Sequence, residues 1–205
     1  MTQLDARQLA TLYKPSAKTP VLVDVPPLRF LQLDGRGDIG GETFQEAVGA
    51  LFGLAYPVKF AAKRELGLAY KVPPLEGLYW SEDEAATFDC SDRDSLLWRL
   101  MIMLPDEVGG ELVEALRAKV AAKKNPARLA DIRLQTFSEG MSVQVLHVGP
   151  YAAEAPTVER LLAFAAEQGC EVTGKHHEIY LGNPNRAAAE RLKTVLRYGV
   201  RKVRG

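Results

Sequence analysis

Cysteine is nearly missing from this chain of 205 residues: Cys90 and Cys170 stand far apart with no CxxC spacing. That excludes a disulfide framework or a cysteine zinc site and fits reduced thiols. Histidine is scarce too, with only His147, His176 and His177. His176 and Glu178 are two apart and offer two ligands, but a third would have to come from His147, so no metal and no cofactor is expected. Charge of one sign is also lacking: 26 basic residues balance 26 acidic ones and the pI is about 6.8. Such a balance gives no electrostatic footprint for nucleic acid or anionic lipid. No run of about 18 apolar residues occurs, so no membrane span is expected. The opening MTQLDARQLATLYKP lacks the basic and apolar blocks of a secretory signal, which points to the cytoplasm. The glycines of DGRGDIGG make neither GxxxxGK[ST] nor GxGxxG, and GxSxG is absent, which disfavours nucleotide-binding and serine-hydrolase readings.

What remains is an ordinary globular composition, 47% hydrophobic and 25% charged, enough to bury a real core in one domain or two small ones. PLRFLQLDG alternates as a strand, and a helical pattern follows through Phe44, Val48, Leu51, Phe52 and Ala55. Thr43 and Glu46 have capping-box spacing at its start, and Pro57 should end or kink it. Strand-like runs follow in AYKVPPLEGLYW and SLLWRLMIML, separated by the acidic loop SEDEAATFDCSDRD. A helix from about Asp106 to Lys124 buries Val113, Leu116 and Val120. RLQTF and MSVQVLHVG then read as a hairpin turning at Ser138, Glu139 and Gly140. Gly149-Pro150-Tyr151 breaks the chain before a helix with Pro156 in its first turn, a stripe of Val158, Leu161, Leu162 and Ala165, and a stop at Gly169. HHEIYLGNP, a short helical NRAAAERLK and a strand near TVLRYGVRK complete the chain. The N-terminal segment reads as a helix and an edge strand, PVLVDV.

Strand, helix, strand, strand therefore occurs twice, so the fold class is α+β, read as a single domain over 1–205 made of two repeats at about 20–125 and 126–205. FLQLDGRG aligns with VQVLHVGPY, and LEGLYW with HHEIYL. Matching Tyr79 to Tyr180 sets Glu178 against Gly77, so an acid stands in one half only. A cleft about a pseudo-twofold axis between the halves is where a ligand is expected.

The residues offer few candidates. In HHEIYL, alternation places His176, Glu178 and Tyr180 on one face. Glu178 reads either as a solvated strand carboxylate or as a buried one, which attracts cations or takes up protons readily. Trp80, sharing a face with Leu78 and Glu76, is either core or a stacking surface. Tyr180 has the same two readings, and so has Tyr151, at a strand-to-helix turn. Trp98 reads as core first and as a site residue second. Tyr56 and Phe60 are placed to line a cleft from the first long helix, or to pack it.

The ordered set YKP, VDVPPLRFLQLDGRGD, FQEAVGALFGLAYPVKF, PPLEGLYW, VQVLHVGPY and GKHHEIYLGNP…RLKTVLRYGV resembles the stand-alone GyrI-like small-molecule-binding proteins, over almost the whole chain. The resemblance implies a tandem β-α-β-β module of the SHS2-like, multidrug-effector type with a concave aromatic cleft, and an acidic residue on a strand at its floor. Glu178 matches that acid. Related domains are multidrug-sensing modules of transcription activators, and some stand-alone members open the cyclopropane ring of DNA-alkylating natural products.

Two functions follow. One is a module that sequesters planar, lipophilic or cationic compounds, with Glu178 as counter-charge and Trp80, Tyr180 and Tyr151 as stacking surfaces. The other is a hydrolase in which Glu178 is the general base on water and Tyr180 steadies the phenolate left by the opened ring. A regulatory role on gyrase or a regulator is a third, weaker reading, since only about 25 residues precede the first repeat, too few for a DNA-binding domain. The expected partner is a small molecule rather than nucleic acid or a membrane, and the oligomeric state is left open.

Overall fold

The computed structural model describes residues 6–82, 96–182 and 187–203. Cys90, most of the acidic loop and residues 183–186 lie outside them. The elements are α1 (Ala6–Tyr13), β1 (Val21–Val25), β2 (Leu28–Arg36), α2 (Glu42–Glu65), β3 (Leu75–Trp80), β4 (Leu97–Leu104), α3 (Gly110–Lys123), β5 (Arg133–Phe137), β6 (Gly140–Val148), α4 (Ala155–Glu167), β7 (Cys170–Val172), β8 (His176–Tyr180) and β9 (Lys193–Lys202). The fold is α+β, and its strand pairings are antiparallel. Two compact units divide it, residues 28–137 and residues 2–27 with 138–205. No helix among the described residues is long and apolar enough to cross a membrane.

In the first unit the strands run β5-β2-β4-β3. β2 and β4 are flanked on both edges and covered by α2, so they are buried nearly throughout: Phe30, Leu31, Gln32 and Leu33 are all buried in β2. Trp98 on β4 pairs with Gly35 on β2, and its indole occupies the space a side chain at 35 would need. The ring stands edge-on to Phe44 of α2, at 5.2 Å between centroids, and its Nε1 donates to the Gly37 carbonyl. Trp98 is fully buried, so its core reading holds.

Helix α2 departs from the sequence reading in three ways. Its N-cap is Gly41, with no side-chain cap bond, so Thr43 lies inside the helix and the expected capping box does not form. Pro57 neither ends it nor marks its boundary, because the helix runs on to Glu65. The buried face is Ala47, Ala50, Leu54, Val58 and Ala61 rather than Val48 and Phe52. Small alanines let the helix axis lie close to the sheet, which turns the bulkier residues toward the rim. Helix α3 starts at Gly110, after a Gly109 cap, rather than near Asp106, and of the expected stripe Val113 and Leu116 are buried.

In the second unit the order is β1-β6-β9-β8, with β7 on the far end of β9. The hairpin expected at residues 138–140 is not made: β5 pairs with β2, and β6 lies between β1 and β9. Local turn chemistry suggested a reversal, but the pairing of distant strands decided the partners. Val143 and Val145 of β6, Leu196 and Tyr198 of β9, and Leu161 and Ala165 of α4 form one core. Leu162, placed by the sequence on that stripe, is 36% exposed. The expected helical segment after residue 186 is a single 3-10 turn, Ala189–Arg191.

Candidate functional site

The β8–β9 register sets the site. His177 pairs with Arg197 and Glu178 with Leu196, so His176, Glu178 and Tyr180 lie on the α4-covered face with Thr194, Leu196 and Tyr198. The other face carries His177, Ile179, Val195 and Arg197. Both faces bury ionisable groups, with opposite consequences.

On the His177 face the charges are matched. Glu139 accepts from His177 Nδ1 at 3.0 Å and from Arg197 at 3.3 Å. Arg197 also donates to Gln144 Oε1 and to the Leu12 carbonyl at the end of α1, while Gln144 donates to the Thr11 carbonyl. Burial would raise the Glu139 carboxyl, but His177 and Arg197 outweigh it and hold it below the ordinary value. This cluster fastens α1 to the sheet and is a structural one.

On the α4 side the acids outnumber their partners. Glu178 is buried, and its Oε1 lies 2.9 Å from His176 Nε2. The other ring nitrogen, Nδ1, is 2.6 Å from the Tyr198 hydroxyl. Gly149 and Pro150 end β6, and the turn Tyr151–Ala153 then drops Glu154 at the mouth of α4, where it is also buried. Its Oε1 has no hydrogen-bond partner. Burial, then the charge of Glu178, push the Glu154 carboxyl up to about 9. The Thr194 hydroxyl is the smallest influence and acts the other way, without meeting hydrogen-bond geometry. At neutral pH Glu154 therefore keeps its proton.

Tyr180 and Tyr151 stand over this pair as edge-to-face rings, 5.6 Å between centroids. Burial and the two glutamates raise the Tyr151 phenol, so it stays neutral. Tyr151 is 38% exposed and marks the solvent edge. The resulting arrangement is a neutral carboxylic acid, a histidine-bonded carboxylate and two rings.

Of the residues singled out in sequence, Glu178, His176, Tyr180 and Tyr151 come together here. Trp80, Trp98, Tyr56 and Phe60 belong to the first unit. Tyr56 lines a hollow of about 610 Å³ between α2 and α3, rimmed by Lys119, Lys123 and Lys124. Phe60 lines one of about 380 Å³ with Tyr70, Lys59, Lys63 and Lys71. Those lysine rims repel cations, whereas the glutamate site attracts them.

Glu154 and Tyr198 were missed in sequence. Glu154 reads as an ordinary carboxylate before a helix, a place that is usually solvated. It also supplies the third donor that a metal would need: Glu154, His176 and Glu178 offer ligand atoms within 4.8 Å of one another. A divalent ion there would have to displace the Glu154 proton and the His176–Glu178 hydrogen bond. His147 is engaged elsewhere, with Nδ1 at 3.0 Å from Thr157 Oγ1 and Nε2 at 3.3 Å from the Pro150 carbonyl.

Comparison with known proteins agrees with the resemblance read from the motifs. The GyrI-like small molecule binding domain matches residues 18–198. An uncharacterized conserved protein from Listeria innocua is 37% identical, with 95% of this chain and 98% of that one covered at a TM-score of 0.88. A hydrolase from Listeria innocua is 35% identical over 95% and 98% of the two chains, with a TM-score of 0.83. The C-terminal domain of EcmrR, 13% identical with 90% and 98% covered and a TM-score of 0.54, shares the fold. No curated protein matches the chain. With a family match over most of its length and a relative above a third identical, the chain belongs to the GyrI-like small-molecule-binding family.

Proposed function

We propose that this protein binds planar, lipophilic or cationic compounds at the Glu154–Glu178 site and hydrolyses strained-ring, cyclopropanoid-type electrophiles there. The observation that carries the reading is the unequal carboxyl pair, one acid kept neutral beside one carboxylate held by a histidine. A carboxyl kept protonated near a second one bonded to a histidine offers an acid beside a base. Likeness to a Listeria innocua hydrolase supports the reaction class.

In the proposed step Glu178 takes a proton from water as the water oxygen bonds to the ring CH2 carbon. The ring carbon–carbon bond breaks, and its electron pair flows into the conjugated dienone to give a phenolate oxygen. Glu154 passes its proton to that oxygen, and the net change is the addition of one water. Afterwards Glu178 holds a proton, Glu154 does not, and exchange with solvent resets the pair. In this reading Tyr180 and Tyr151 offer a π surface to the planar substrate, and the Tyr180 hydroxyl steadies the developing charge.

A binding-only reading also has an observation in its favour, because an acid-rich site beneath two aromatic rings holds a cation without any chemistry. The two are separated by assaying wild type and Glu178→Gln against a cyclopropanoid and a cationic dye. Hydrolysis is expected to fall by about 100-fold or more in the variant. Wild-type turnover in Glu178→Gln would overturn the catalytic role, and dye binding with no product in wild type would leave a sequestering module.

We also read the chain as a tandem duplication, with repeats at about 20–125 and 126–205. Support comes from the element orders β2-α2-β3-β4 and β6-α4-β8-β9, in which the first strand pairs with the last and the last with the middle one. At the aligned position Gly77 gives its space to the Tyr79 ring, where the second copy carries Glu178.

A further inference from the structure

We infer that Glu154, His176 and Glu178 form a binding site for a divalent transition metal, with zinc the ion their donors suit. One oxygen of each carboxylate and one ring nitrogen of the histidine lie within 4.8 Å of one another, and all three residues are buried. The inference rests on this geometry and on the ligand chemistry of the three side chains. It goes beyond the ring-opening reading, whose proposed step uses no metal.

Glu154 is 7% exposed, and its Oε1 has no hydrogen-bond partner among the described residues. Buried polar atoms are normally paired, and one left over calls for a proton, a water or an ion. Glu139 shows the usual solution for a buried acid, bonded by His177 and Arg197. Glu154 instead faces a second carboxylate and an imidazole. A dication pairs with both acids at once, whereas a proton pairs with one.

The backbone holds the donors close to a coordination shell. His176 and Glu178 stand two apart on one face of β8, and the turn Tyr151–Ala153 delivers Glu154 at the start of α4. Around a tetrahedral zinc, with bonds of about 2.0–2.2 Å, ligand atoms lie about 3.3–3.6 Å apart. His176 Nε2 and Glu178 Oε1 are 2.9 Å apart, so both reach one ion with a small outward adjustment. The wider separations, none above 4.8 Å, need the Glu154 carboxyl to draw in by about 1.5 Å at most. With the metal on Nε2, the ring hydrogen sits on Nδ1, where the Tyr198 hydroxyl oxygen at 2.6 Å accepts it. Such an outer partner orients a metal-bound imidazole. An imidazole among the donors favours zinc and its neighbours, since magnesium and calcium prefer shells of six or more oxygens. Three protein donors leave a fourth position for water or a ligand. As the ion binds, the Glu154 proton passes to solvent, so the metal-bound protein has neither the acid nor the free base of ring opening.

The test needs no substrate. Protein stripped with EDTA and dialysed is titrated at neutral pH with Co²⁺, followed by its visible d–d absorption, and then with Zn²⁺ to displace it; Zn²⁺ affinity is measured by calorimetry. Wild type should take one ion per chain, with Zn²⁺ bleaching the cobalt bands. Glu154→Gln, His176→Gln and Glu178→Gln should each weaken Zn²⁺ by about 100-fold or more, because each removes one of three donors. His147→Gln, which changes a histidine bonded to Thr157 and Pro150 instead, should bind as wild type does.

No saturable Co²⁺ or Zn²⁺ binding by wild type at millimolar metal would overturn the inference, and so would binding that the glutamate variants keep. Both glutamate variants preserve side-chain shape, so they decide the matter even if His176→Gln fails to fold. Ring opening is read separately in the EDTA-treated protein, where Zn²⁺ is expected to halt it. Turnover without metal binding would strike this inference and leave the hydrolase, whereas metal binding without turnover would leave the site and strike the hydrolase.

Discussion

Glu154 and Glu178 illustrate how position changes the chemistry of one residue type. Both are buried, yet Glu178 has a histidine hydrogen bond and Glu154 Oε1 has none. Replacing Glu154 by Gln keeps the shape and removes the proton donor. Ring opening is expected to slow by about 10²-fold or more, with planar cationic ligands retained because Glu178 and the two tyrosines remain. Equal loss of binding and turnover, read from a binding titration beside the kinetic assay, would show that Glu154 only shapes the site. Half of this constellation was readable from HHEIYL, where period-two alternation alone puts His176, Glu178 and Tyr180 on one face. Glu154 and Tyr198 were not, because nothing local in EAPT or LRYGV requires burial. Their meeting with Glu178 depends on the β8–β9 register and on where α4 begins, which are tertiary choices.

Among the elements, α2 shows most plainly what local rules leave undecided. Pro57 has no N–H to give the Gly53 carbonyl, yet the helix continues past it. Its apolar contacts with the sheet run on both sides of the proline, at Leu51, Leu54, Val58 and Ala61, and outweigh the lost bond. Pro57→Ala is therefore expected to raise stability by about 1 kcal/mol or more in denaturant unfolding; a loss would mean that the ring itself packs. Gly35 is the opposite case. A Cβ there would fall inside the Trp98 indole, a rigid ring that is fully buried. Gly35→Ala should cost about 1–3 kcal/mol, and an unchanged midpoint would show that the indole has room to move. The sequence marked Gly35 as the end of a strand and Trp98 as core; only the pairing of β2 with β4 revealed that each requires the other.

For the whole molecule, the two buried acid clusters bound the pH range of stability from opposite sides. Glu139 has a lowered carboxyl, so its contribution is complete above the unfolded value near 4.5 and is lost as pH falls through the folded one. Glu154 is raised to about 9, so its contribution is complete below about 4.5 and is lost as pH rises toward 9, at up to about 1.4 kcal/mol per pH unit. Thermal unfolding should therefore show highest stability in mildly acidic buffer. Glu154→Gln should flatten the alkaline limb and leave the acid limb in place; a variant that follows the wild-type curve above pH 7 would contradict the assignment. At this scale the α+β class was legible because hydrophobic period and turn residues are local. The strand partners were not, and the supposed hairpin at residues 138–140 joins two strands that never pair.

The most direct trial of the catalytic account is ring opening of a cyclopropanoid in ¹⁸O-labelled water, with product mass followed for wild type and Glu178→Gln. One labelled oxygen on the opened carbon, formed by wild type and slowed by about 100-fold in the variant, is the expected result. Product formed at the same rate by both proteins, or product lacking the label, would contradict it.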